Sequence, residues 1–171
     1  MRYHKIRKMD ISNGPGVRVS IFMQGCDFHC KNCFNKETHD FAGGKEFNDE
    51  TIAKILELCD RSYIVGLSIL GGEPMHPKNI EGTTLLAKKF KEKFKDKTVW
   101  VWSGFLFDKD LKDKEVLNYI DVLVDGVYID ALYNPTLKWK GSSNQRVIDV
   151  KKSKSKNKVV LYEEVECATS C

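Results

Sequence analysis

The chain has 171 residues, 42% of them hydrophobic and 30% charged, with a formal net charge of +4. That length holds one ordinary core without disulfide staples, and no apolar run approaches the roughly 20 residues that span a bilayer. The start, Met-Arg-Tyr-His-Lys-Ile-Arg-Lys, is basic but leads into no apolar stretch, so neither a signal peptide nor a membrane anchor is expected.

Residues 1–9 hold four Lys/Arg and no acid, and the tail from residue 151 holds five Lys against three Glu, so the basic character belongs to the ends. A nucleic-acid binder would gather its basic residues on one face of the fold, so nucleic acid is not an expected partner. Asn13-Gly14-Pro15-Gly16 consists of turn formers and reads as structural. Residues 17–23 (V-R-V-S-I-F-M) alternate as a strand does and feed directly into a cysteine loop. Asn48-Asp49-Glu50 resembles a helix start, with a capping side chain and acids in the first turn. Ile52, Ile55, Leu56 and Cys59 follow as an apolar helical stripe, which makes Cys59 a core residue. Residues 64–70 are nearly all apolar, as in a strand buried on both faces. A second amphipathic helix is expected over 82–94 through Leu85, Leu86, Phe90 and Phe94, then a short strand over 99–102 whose Trp100 and Trp102 read as core. A helix near 114–119 and a strand over 120–124 complete the body. The run Lys151-Lys152-Ser153-Lys154-Ser155-Lys156-Asn157-Lys158 reads as a solvated linker, and residues 159–165 form a last candidate strand.

Strands alternating with helices imply βαβ units, an α/β fold with a parallel sheet flanked by helices. In such sheets the working loops lie beyond the carboxyl ends of the strands. The cysteine loop, Gly71-Gly72-Glu73-Pro74 and Asp125-Gly126 all fall at such ends, so they are expected to meet in one site.

Without a signal peptide the chain reads as cytoplasmic, where grouped cysteines point to metal more than to disulfides. Cys26, Cys30 and Cys33 form a C-x3-C-x2-C run. Three thiolates are one short of closing a tetrahedral zinc or a four-iron cluster. Two readings follow: a structural zinc knuckle completed by His29, His39 or a carboxylate, or a [4Fe–4S] cluster with one iron open to a small molecule. The Gly71-Gly72-Glu73-Pro74 run tilts the balance. Two glycines after an apolar strand let backbone come close to a ligand, Glu73 adds an acceptor, and Pro74 stiffens the turn. Beside a three-cysteine loop this looks like a seat for an amino-acid moiety.

C-x3-C-x2-C followed by Gly-Gly-Glu-Pro at a strand end resembles the radical S-adenosylmethionine superfamily. Further runs extend the likeness over residues 1–150: Asn13-Gly14-Pro15-Gly16-Val17-Arg18, Gly25-Cys26, Cys33-Phe34-Asn35-Lys36, Trp100-Val101-Trp102-Ser103-Gly104-Phe105, Asp121-Val122-Leu123-Val124-Asp125-Gly126 and Gly141-Ser142-Ser143-Asn144-Gln145-Arg146. In order, they resemble the glycyl-radical-activating enzymes that act on anaerobic ribonucleoside-triphosphate reductase.

The resemblance implies a partial β/α barrel over residues 1–150, with residues 151–171 as a Lys-rich extension ending in Cys167 and Cys171. It implies one [4Fe–4S] cluster held by Cys26, Cys30 and Cys33, whose fourth iron is chelated by S-adenosylmethionine. Asn32, Cys33, Phe34, Gly71, Gly72, Glu73 and Pro74 would contact that cofactor, and Asp125 would meet its ribose or amino end or else serve as a turn acid. Reductive cleavage would give methionine and a 5′-deoxyadenosyl radical that takes the α-hydrogen of one glycine in the large reductase subunit. No catalytic side chain is expected beyond the cluster and cofactor. The reductase, an electron donor such as a flavodoxin, and a second copy of the chain are the implied partners. An activator of the pyruvate formate-lyase type and a non-enzymatic zinc or iron–sulfur module stay open as alternatives. Members of the family often carry glycine where Asn32 precedes the third cysteine, and the tail cysteines fall outside the likeness, to be read as a redox pair or as inert thiols.

Overall fold

The computed structural model describes residues 1–164; Cys167, Cys171 and the last residue of the expected final strand lie outside them. The strands are β1 (Arg2–Asp10), β2 (Val17–Gln24), β3 (Lys45–Glu46), β4 (Ile64–Gly71), β5 (Thr98–Ser103), β6 (Val122–Asp125) and β7 (Arg146–Asp149), and the α-helices are α1 (Asp49–Cys59), α2 (Ile80–Lys93) and α3 (Val150–Lys156). All the strands join one sheet in the order β3-β1-β2-β4-β5-β6-β7. The central strands β2, β4, β5 and β6 are parallel, while β1 pairs antiparallel with both β2 and the edge strand β3, and the edge strand β7 pairs antiparallel with β6. The sheet is therefore mixed, not wholly parallel. The β1–β2 link is a short turn, whereas a parallel crossover needs a dozen or more residues.

Strand alternation splits the side chains between two faces. Val19, Ile21, Met23, Leu67, Ile69, Val99, Val101 and Leu123 pack with Ile52, Ile55, Leu86 and Phe90 of α1 and α2 in the main core. On the opposite face Trp100, Val122 and Val124 pack with Trp102, Trp139, Val147 and Tyr162. Arg18 lies completely buried there. Its guanidinium donates to Ser68 Oγ at 2.7 Å, Thr98 Oγ1 at 3.0 Å and the carbonyls of Leu67 and Thr98 at 2.9 Å, and it stacks over Trp100.

α1 starts as its sequence requires, with Asn48 Oδ1 accepting from the Thr51 amide at 3.0 Å. α2 begins two residues before the expected helix, and its buried face is Thr83, Leu86, Ala87 and Phe90. Leu85 is 41% exposed and does not belong to that face, because a step of 100° from Leu86 carries it toward solvent. The helix expected at 114–119 is only a 3-10 turn over Glu115–Asn118, anchored by Val116 and Leu117. β6 starts at Val122, two residues later than expected.

The lysine-rich run is not a linker. α3 is capped by Asp149, whose carboxylate accepts from the Lys152 amide at 2.9 Å, and it ends on Asn157 in the left-handed region at φ +48°. Val150 and Ser153 are buried beneath it. The expected last strand reduces, among the described residues, to an Ile148–Leu161 bridge against β7. Among the described residues no helix is long and apolar enough to cross a membrane.

Candidate cofactor site

The carboxyl ends of β2, β4, β5 and β6 open into a cavity of about 700 Å³, whose lining includes Cys26, Cys30, Cys33, Gly71, Gly72 and Gly126. The three strand-end segments singled out in the sequence thus meet in one place. Two of them are joined backbone to backbone. The Gly72 amide donates to Met23 O at 2.9 Å and the Glu73 amide to Gly25 O at 2.8 Å. The buried Asn79 amide group bridges them again, donating to Gln24 O and Glu73 O at 3.0 Å. No side chain fits between the loops, since a Cβ on Gly72 would stand 2.6 Å from Gly25 O. The glycines are therefore needed for this close approach.

The cysteine loop is held at its base by the Gly25 amide on Thr38 O at 2.7 Å and the Cys26 amide on His39 O at 3.0 Å. It then turns twice through the left-handed region, at His29 (φ +46°) and Asn32 (φ +55°). Asparagine tolerates that conformation better than most residues, which explains how Asn32 stands where glycine is common. Its side chain donates to Asp130 Oδ2 at 3.1 Å. Cys26 is buried, while Cys30 and Cys33 are half-buried. Burial pushes the Cys26 thiol up to about 11, with Glu73 and the other two thiols adding to the effect. Burial and Cys33 likewise raise Cys30. Such a set gives up its protons on binding a cation and favours one strongly.

Among the described residues, no three His, Cys, Asp or Glu side chains converge as they would around a single ion. The two histidines weighed as a fourth zinc ligand face each other, Nδ1 to Nδ1 at 3.3 Å. A cluster places each thiolate on a different iron, and Cys26, Cys30 and Cys33 all line the one cavity, a donor set that fits that arrangement.

Glu73 is buried, and its carboxylate is turned toward the end of β5. It accepts from Ser103 Oγ at 2.7 Å, the Gly104 amide at 2.7 Å and the Met75 amide at 2.8 Å. Burial lifts it to about 7 despite those donors. Pro74 is outside the lining, and its carbonyl accepts from Thr83 Oγ1 at 2.9 Å. Phe34 is 67% exposed at the rim, in ring contact with Tyr128 and Tyr133. Trp100 is core as expected, but Trp102 faces the cavity along with Gly141 and Gln145.

Asp125 departs from its expected role as a cofactor contact. It alternates with Val124 and so takes the helix side of the sheet with Leu123. There it is completely buried, and its oxygens accept from Arg146 Nε at 2.9 Å, Arg146 Nη2 at 2.6 Å and the Phe107 amide at 2.8 Å. Its carboxylate is spent on the framework. The sequence reading assigned no role to Ser103, Gly104, Asn79, Tyr128 or Tyr133. Of these only Ser103-Gly104 carried a signal, as part of the run shared with the family.

A family model described as a 4Fe-4S single cluster domain matches residues 12–148. Three similar relatives are each called anaerobic ribonucleoside-triphosphate reductase-activating protein. That of Enterobacteria phage T4 is 40% identical over 148 residues, covering 86% of this chain and 93% of the relative. That of Vibrio cholerae is 40% identical over 148 residues, 85% and 96% of the two chains, and that of Escherichia coli K12 is 36% identical over 150 residues, 86% and 97%. With a cavity lined by three thiols at the strand ends and likeness along nearly the whole length of these relatives, this chain belongs to the family of anaerobic ribonucleoside-triphosphate reductase-activating proteins.

Proposed function

We propose that this chain is the activating enzyme of an anaerobic ribonucleoside-triphosphate reductase, an iron–sulfur oxidoreductase that installs a glycyl radical in the large reductase subunit. The observation that carries the reading is the placement of Cys26, Cys30 and Cys33 around one cavity with Gly71 and Gly72, in a chain whose residues 12–148 match a 4Fe-4S single cluster domain.

In this reading Cys26, Cys30 and Cys33 would hold a [4Fe–4S] cluster, and Gly71, Gly72 and the Glu73 backbone would seat the amino-acid end of S-adenosylmethionine. Phe34 at the rim and Asn32, on the cysteine loop but outside the cavity lining, would be its further contacts. When bound, the pair supplies a one-electron reductive cleavage whose organic radical removes the α-hydrogen of a glycine. The chain's own residues position and shield. Met23 and Gly25 carbonyls fix the seat against the cysteine loop. Glu73 fixes it against Ser103 and Gly104, and Phe34, Tyr128 and Tyr133 form an apolar rim that limits water. The finer fold follows the same reading: residues 1–150 form an incomplete β/α barrel whose concave face is the cavity, and residues 151–171 are an extension. Cytoplasmic residence and an external electron donor such as a flavodoxin complete the proposal.

The test is anaerobic reconstitution with iron and sulfide, then mixing with the reductase, reductant and S-adenosylmethionine. About four irons per chain, a dithionite-bleached chromophore and a glycyl doublet in the electron paramagnetic resonance spectrum are expected. Changing Cys30 to Ala removes all three. A colourless protein with stoichiometric zinc overturns the reading.

A further inference from the structure

The cavity has a basic wall on β1. Lys5 and Arg7 of β1 line it, and both stand over the ring of Phe22, with Lys5 Nζ at 4.9 Å and Arg7 Cζ at 4.8 Å from its centroid. Alternation places Lys5, Arg7 and Phe22 on the same face, since Lys5 pairs with Phe22 and Arg7 with Ser20. The acids near them are Glu37, 3.7 Å from Lys5, and Asp10, 3.5 Å from Arg7. Asp10 is already occupied by the Ser12 amide at 2.8 Å and Asn13 Nδ2 at 2.7 Å. Both approaches exceed a normal hydrogen bond, so the ammonium and guanidinium donors are available to a ligand. The side chains are 39% and 46% exposed.

These cations do not suit the anionic end of the small-molecule cofactor. Lys5 and Arg7 pair with Phe22 and Ser20, inside β2, whereas Cys26 follows the end of that strand at Gln24. In the proposed function the carboxylate of S-adenosylmethionine would be chelated by the cluster, so its charge would already be engaged there. What must also enter this cavity is the glycine-bearing segment of the reductase. We infer that Lys5 and Arg7 are docking residues that grip a carboxylate of the reductase within a few residues of its target glycine. The inference rests on the proposed function. Its physical basis is the pairing of exposed cations on an aromatic floor with an acidic side chain, which guides encounter and fixes register.

The test uses the cluster-loaded protein and its Lys5→Gln/Arg7→Gln variant, which keeps polar stems over Phe22. Formation of 5′-deoxyadenosine with dithionite is measured without the reductase, and glycyl radical yield is measured against rising reductase concentration. Cofactor cleavage alone is expected to stay within about twofold of wild type, while the half-saturating reductase concentration rises about tenfold. Added salt should weaken the wild-type interaction and leave the variant nearly unaffected. A parallel loss of reductase-free cleavage assigns the two cations to the cofactor and overturns the inference. So does a variant that saturates like wild type. If the variant loses its cluster, the wild-type salt dependence decides, and its absence overturns the inference. Failure of the wild type to cleave S-adenosylmethionine at all would instead count against the proposed function.

Discussion

Glu73 holds a carboxylate with no cation beside it among the described residues, in a place where burial outweighs three hydrogen bonds. Its proton affinity rises from an ordinary 4.5 to about 7. Between those values the folded chain keeps a proton that the unfolded chain has released, so stability falls as pH rises through that window. The contribution is fully present below pH 4.5 and lost above about 7, on the order of 3 kcal/mol at most. Thermal melts of the metal-free, reduced protein at pH 5 and pH 8 check this. The difference between the two melting temperatures should shrink clearly in Glu73→Gln, and an unchanged difference would show that another group sets it. Asp125 teaches a complementary lesson at the same scale. Its position at a strand end was legible from sequence, but the face it takes depends on strand parity and on Arg146, which lies twenty-one residues away.

The elements legible in the sequence are those whose own pattern decides their structure. α1 has its cap and stripe, and β2 and β4 have unbroken apolar faces. β1 escaped notice because its register shifts between Tyr3 and Lys5 and between Arg7 and Asp10, which breaks the alternation, and because its cavity side is charged. α3 escaped because five lysines read as solvated chain, while its stability comes from the Asp149 cap, buried Val150 and Ser153, and the turn at Asn157. The meeting of the cysteine loop and the Gly-Gly-Glu-Pro run was legible, but its tightness was not. A methyl group on Gly72 would press on the Gly25 carbonyl, which is backbone and cannot swing aside. Gly72→Ala is expected to retain iron but to lose S-adenosylmethionine cleavage by about a hundredfold, the typical effect of an ångström-scale misplacement. Iron content and 5′-deoxyadenosine yield measured on the same sample separate the two. Normal cleavage would show that the seat does not depend on this contact.

At the scale of the whole molecule, the sheet face opposite α1 and α2 has two contrasting ends. The thiols lie at one, and Arg18 with Trp100, Trp139 and Tyr162 fills the other. Arg18 binds across β4 and β5, and burial pushes its proton affinity down to about 10. Replacing it with Ala leaves two buried carbonyls and two hydroxyls short of a donor, and is expected to cost about 3–5 kcal/mol. Chemical denaturation measures this as a lower midpoint with unchanged slope, and a cost below about 1 kcal/mol would show that water replaces the guanidinium. The pairing of Met23 with Gly71 has a consequence of its own. The sheet acts as a ruler between two loops that are distant in the chain. Adding one residue to β2 would turn its side chains over, presenting Val19 and Ile21 to the cavity, and would carry Cys26 about 3.3 Å past the glycines. The number of residues in that strand is therefore as much a part of the recipe for the site as the cysteines themselves.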